Sequence, residues 1–186
     1  MFKLERATLY YILGFAGITF MYAVPFLPKR FFMDEQKNLR NIGGLKVYVI
    51  ALVWGGVTVL LPALDADMPL NLDVWLTMIQ RFALVMMLML PFEIRDLQYD
   101  SLKLATIPQK IGINNTKIIG FAFGWVFFSL EFLKQQITLK LVVLTFIIAL
   151  IALLYILFSK KERSDYYSAF WVESIPIQWL LLNLIF

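Results

Sequence analysis

Neither cysteine nor histidine occurs anywhere in this 186-residue chain. Their absence excludes disulfides, thiolate chemistry, zinc sites of the usual ligand set, and any nucleophile that relies on a neighbouring imidazole. Any chemistry must therefore run on carboxylates, amines, guanidinium groups, hydroxyls and a bound ion. Charge is scarce too: 16% of the residues are charged and 61% are hydrophobic. Soluble domains seldom exceed about half apolar residues, so this composition, with a mean hydropathy of +0.76, indicates a membrane protein. The net charge of +4 needs no nucleic acid to explain it, because basic residues beside membrane spans are the ordinary mark of cytoplasmic loops. The first apolar stretch is too long for a signal-peptide core and lacks a small-residue cleavage pattern, so it reads as a helix that stays.

Apolar runs separated by polar turns predict an all-α, multi-pass membrane bundle of about six transmembrane helices, forming one domain over residues 1–186. The predicted spans are residues 7–27, 47–61, 74–92, 117–133, 141–158 and 170–186. Pro25 and Pro28 should end the first span and Pro62 the second, since proline lacks a backbone donor and restricts its predecessor. Asn114-Asn115-Thr116 offers cap chemistry for the fourth. Gly120 and Gly124 share a face of that span and permit close helix approach. Residues 63–73 hold Asp65, Asp67 and Asp73 with no basic residue, and read as a plain external loop.

Basic residues orient the bundle. The loops after the first, third and fifth spans carry Lys29, Arg30, Lys37, Arg40, Lys46; Arg95, Lys103, Lys110, Lys117; and Lys160, Lys161, Arg163. The other side carries Lys3, Arg6, Lys134 and Lys140. The richer side should be cytoplasmic, with both termini outside and a bacterial inner membrane as the expected location.

The stretch with chemistry in it follows the third span: Glu93-Ile94-Arg95-Asp96-Leu97-Gln98-Tyr99-Asp100-Ser101-Leu102-Lys103, closed by Thr106-Ile107-Pro108. Asp96 and Asp100 are four apart, which on a helical turn places them on one face about 6 Å apart. A hard cation such as Mg²⁺ is commonly held by one or two carboxylates, waters and substrate phosphates, and Arg95, Lys103 and Lys110 can face phosphate oxygens. The plainer alternative is a solvated, salt-bridged turn between two membrane helices. Arg81, in the middle of the third span, should face protein rather than lipid. Pairing with Glu131 or Glu173 is one reading, and lining a substrate cavity is the other. Glu173 itself reads as a half-exposed interfacial carboxylate.

Read together, Glu-Ile-Arg-Asp-x-x-x-Asp, then Thr-Ile-Pro and Gly112, resembles the second aspartate-rich motif of the UbiA superfamily of intramembrane prenyltransferases. Ile107 replaces the usual leucine, and the spacing to Thr106 is one residue short. The resemblance implies Mg²⁺-dependent transfer of a polyprenyl group from its diphosphate to an aromatic, quinone-precursor type acceptor. It implies that Asp96 and Asp100 hold the metal and that Arg95 acts with them. Lys29, Arg30, Lys37, Arg40, Arg81, Lys103 and Lys110 would bind substrate. It covers the family's last six spans, while the first three spans and the first aspartate motif have no counterpart, so the resemblance implies either a truncated member, inactive on its own for want of the second metal site, or a divergent one. Two other readings are a non-catalytic membrane structural or partner protein, and a small six-span transporter with Arg81 and Glu173 on its pathway. The two halves of the chain show no internal repeat of the kind many transporters carry.

Overall fold

The computed structural model describes residues 6–23, 45–98, 106–162, 164 and 166–185. All regular structure among them is helical: α1 (Arg6–Ala23), α2 (Leu45–Gly55), α3 (Leu61–Asp65), α4 (Leu72–Asp96), α5 (Ile107–Ser129), α6 (Leu139–Leu157) and α7 (Ile175–Ile185). A π-helical turn, Gly56–Leu60, joins α2 to α3. A 3₁₀ turn, Leu130–Leu133, extends α5. A second π-helical turn, Tyr167–Val172, leads towards α7. Five of the resulting rods have 19 to 27 residues and are apolar enough to cross a membrane, while the described apolar stretch of α1 is shorter, Thr8–Phe20. At 1.5 Å per residue each of the five reaches or nearly reaches the roughly 30 Å of a bilayer core.

α4 is the central rod, with α2, α5 and α6 packed around it. Its side chains Leu84, Met86, Met87, Leu90 and Ile94 are buried. The outward faces of the bundle are just as apolar: Ile118, Trp125, Phe146 and Leu154 are exposed. That arrangement suits lipid as the solvent, and it changes what holds the helices together. Burying leucine against protein gains little over burying it in acyl chains, so close packing and interhelical hydrogen bonds must do the work. Gly120 and Gly124 supply the close packing. A Cβ at Gly120 would lie 2.8 Å from Ile156 Cδ1 and 3.1 Å from Leu90 Cδ1, and one at Gly124 would lie 2.9 Å from Leu153 Cδ2.

Proline and cap signals placed two boundaries wrongly. Pro62 does not end the second span, because it sits in the first turn of α3 and the rod runs on to Asp65. The preceding π turn widens the helix just where the proline ring would crowd the carbonyl four residues back. The fourth span begins at Ile107, ten residues before the predicted start at 117. Asn115 Nδ2 and Thr116 Oγ1 donate to the carbonyls of Ile111 and Gly112 at 2.9 and 2.8 Å, so they bond back along the helix instead of capping it. Gly112, with φ 81° and ψ 164°, breaks the helix there. Only glycine adopts that backbone readily.

Candidate functional site

α4 ends at Asp96, and its last turn carries Glu93, Arg95 and Asp96. A carboxylate on the final helical residue faces the negative end of the helix dipole, an unfavourable place that calls for compensation. Arg95 supplies it. Its Nε and Nη2 both donate to Asp96 Oδ1, at 2.8 and 2.6 Å. Its Nη1 donates to Ser168 Oγ at 2.9 Å, on the buried side of the π turn before α7. The guanidinium also lies 5.3 Å from the centroid of the Phe92 ring. Arg95 is thus held by its own helix and by the chain that enters the last span.

Glu93, only 7% exposed, has a different task. Its Oε2 accepts the Ile107 N–H at 3.1 Å, one of the orphan donors at the start of α5. Gln109 Oε1 accepts the neighbouring Thr106 N–H at 3.1 Å. The first of these bonds ties the last turn of α4 to the first turn of α5, and the second closes the cap of α5.

Beneath this turn a cavity of about 550 Å³ opens between α2, α4 and the start of α7. α2 contributes Lys46, Ile50 and Trp54, each four residues from the last and so on one face. α4 contributes Val85, Leu88, Met89 and Phe92, then Arg95 and Asp96. Glu173 and Pro176 complete the wall. Lys46 opens α2 while Arg95 and Asp96 close α4, so these charges share one end of the cavity, Glu173 adds a carboxylate to its wall, and the remaining lining is apolar. The same cavity therefore offers charged side chains and an apolar wall to whatever enters it.

Of the residues singled out in the sequence, Arg95 and Asp96 line this cavity. Lys110 is exposed on α5 and does not. Asp100, Lys103, Lys29, Arg30, Lys37 and Arg40 lie outside the described residues, and α4 stops at Asp96, so the helical continuation to Asp100 does too. No group of three or more carboxylates is gathered among the described residues.

Arg81 does not form the expected ion pair with Glu131 or Glu173. It stacks instead on Trp179, with Cζ 4.3 Å from the ring centroid. Glu131 is claimed elsewhere: its Oε2 accepts from Lys134 Nζ and Gln80 Nε2, both at 2.9 Å, and from Thr145 Oγ1 at 3.4 Å. Gln80 and Arg81 are neighbours on α4 and therefore point about 100° apart. The residue facing Glu131 is the glutamine. Glu173 is exposed, as expected of an interfacial carboxylate, but it belongs to the cavity mouth.

Sequence reasoning did not place Lys46, Glu93, Ser168 or Trp179 at a site. Lys46 carried a weak signal, since it begins the i, i+4, i+8 series with Ile50 and Trp54. Ser168 carried none. No family model, curated protein or solved structure matches the chain.

Proposed function

We propose that this is a UbiA-like intramembrane protein whose cavity receives a prenyl diphosphate, with the head at Arg95 and Asp96 and the tail along α4. The observation that carries this reading is the pairing of a charged mouth with apolar walls on the same helix that bears the Glu-Ile-Arg-Asp motif. Asp96 and Glu173 are hard oxygen donors on one cavity, the donor chemistry that suits Mg²⁺ with waters and phosphate completing its shell. Asp96 and Asp100 would hold that ion, which when bound supplies positive charge to the diphosphate leaving group.

The chain's own groups do the rest. Arg95 and Lys46 donate to diphosphate oxygens, Arg95 from an orientation set by Ser168 and Phe92. Phe92, Leu88 and Trp54 surround the allylic chain and keep water from it. In the reaction that the resemblance implies, the allylic C–O bond breaks and diphosphate departs. An electron-rich ring carbon of the aromatic acceptor forms the new bond and then loses its proton. The cytoplasmic side is the assigned location of this mouth, from the distribution of basic residues.

The test is binding of farnesyl thiolodiphosphate, a non-hydrolysable analogue, to the detergent-purified chain with and without Mg²⁺. Saturable, Mg²⁺-dependent binding that Asp96→Asn weakens by about tenfold or more is expected. Binding indifferent to both the metal and the substitution would leave a membrane structural or partner protein as the better account.

A further inference from the structure

The cavity wall on α4 has a continuation that the motif does not use. Val85, Leu88 and Phe92 line it, and Arg81 is four residues before Val85 on the same helical face. On α7, Pro176 lines the cavity and Trp179 follows three residues further along. α4 runs towards the charged mouth and α7 runs away from it, so Arg81 and Trp179 both lie one turn deeper than the last lining residues. There they meet, with the guanidinium carbon 4.3 Å from the indole centroid. From Arg95 to Arg81 the helix rises about 21 Å.

The bridge is braced on both sides. Trp179 meets the ring of Phe127 edge to face at 5.7 Å, and Phe127 is completely buried. Gln80, adjacent to Arg81, is tied to the Phe127 carbonyl at 3.1 Å and to Glu131 at 2.9 Å. Arg81 Nε is buried without a hydrogen-bond partner, and no carboxylate pairs with this guanidinium among the described residues. An apolar chain growing down the cavity therefore meets a cation stacked on an indole that itself packs on Phe127. To go further it must push that charge off the indole and into an apolar surround.

We infer that the Arg81–Trp179 bridge is the floor of the cavity and limits the length of the apolar chain that it accepts, a specificity role for two residues of which Arg81 lies more than three helical turns along α4 from Arg95. This inference rests on the prenyl-diphosphate reading. The experiment is a ladder of thiolodiphosphates (dimethylallyl, geranyl, farnesyl, geranylgeranyl) titrated with Mg²⁺ into the wild-type chain and variants. Affinity in the wild type should rise with length and then fall by about tenfold at the first chain too long for the floor. Trp179→Ala should move that break to a longer chain, and Trp179→Phe, which keeps a ring under Arg81, should restore it. Should Trp179→Ala fail to fold, Leu88→Trp, which adds bulk above the floor, should move the break to a shorter chain. Variants that bind with the wild-type length order overturn the floor while leaving the diphosphate site intact. Failure of every analogue to bind the wild type overturns the site itself, and the floor with it.

Discussion

α4 carries two polar groups, and they are built in opposite ways. One is Gln80 with Glu131, Lys134 and Thr145; the other is Arg95 with Asp96 and Ser168. About 24 Å of helix separates Gln80 from Asp96. Glu131 is 2% exposed and accepts from side chains on α4, α6 and its own turn. Asp96, with 29% of its side chain exposed, accepts from the residue beside it and borders a cavity. The first group joins three segments of the bundle through Glu131, so removing that carboxylate takes an acceptor from donors on all three. The second can exchange partners with little loss, because water and a ligand both have access to it. The contrast separates polar groups that hold a membrane bundle together from those that border an open cavity.

Substitutions can sharpen or break that contrast. Glu131→Ala strands the Lys134 ammonium and the Gln80 amide, and should cost about 3 kcal/mol or more, read as a lowered unfolding midpoint in detergent. A loss below about 1 kcal/mol would mean that the cluster is not structural, in line with the weaker end of intramembrane hydrogen bonds. Gly120→Val should cost about 2 kcal/mol by overpacking against Ile156 and Leu90, with the same readout. Gly112→Ala should cost about 1–2 kcal/mol through backbone strain alone, since no atom lies within 4 Å of an added Cβ. Ser168→Ala should barely move stability, yet weaken binding of the diphosphate analogue about fivefold by freeing Arg95. Asp96→Asn should have the smallest effect on stability, within about 1 kcal/mol, while removing Mg²⁺-dependent binding. If Asp96→Asn instead unfolds the chain as Glu131→Ala does, the contrast between the two ends fails.

Much of the architecture was legible from local pattern. Long apolar runs announced the spans, and α6, with scarcely a polar residue, could be little else. Gly120 and Gly124 announced a tight helix contact, and the structure puts Ile156, Leu90 and Leu153 there. The boundaries were less legible where two local rules compete. Pro62 signals a stop only if the helix before it is regular, and a π turn removes that condition. Asn115 and Thr116 look like caps until the start of α5 is found elsewhere, at a turn held by Glu93 from another helix.

Composition and periodicity alone therefore determined a helical membrane protein without cysteine or histidine chemistry, with a charged stretch between two of its spans. Both follow from properties that each residue carries with it: hydropathy, charge, and the 3.6-residue repeat. Tertiary structure decided the partners. It gave Glu131 to Lys134 and Gln80, set Arg81 on Trp179, and brought Lys46 and Glu173 to the mouth beside Arg95. Those choices depend on which faces of separate helices meet, and a rotation of about 100° per residue lets neighbours as close as Gln80 and Arg81 serve different parts of the molecule.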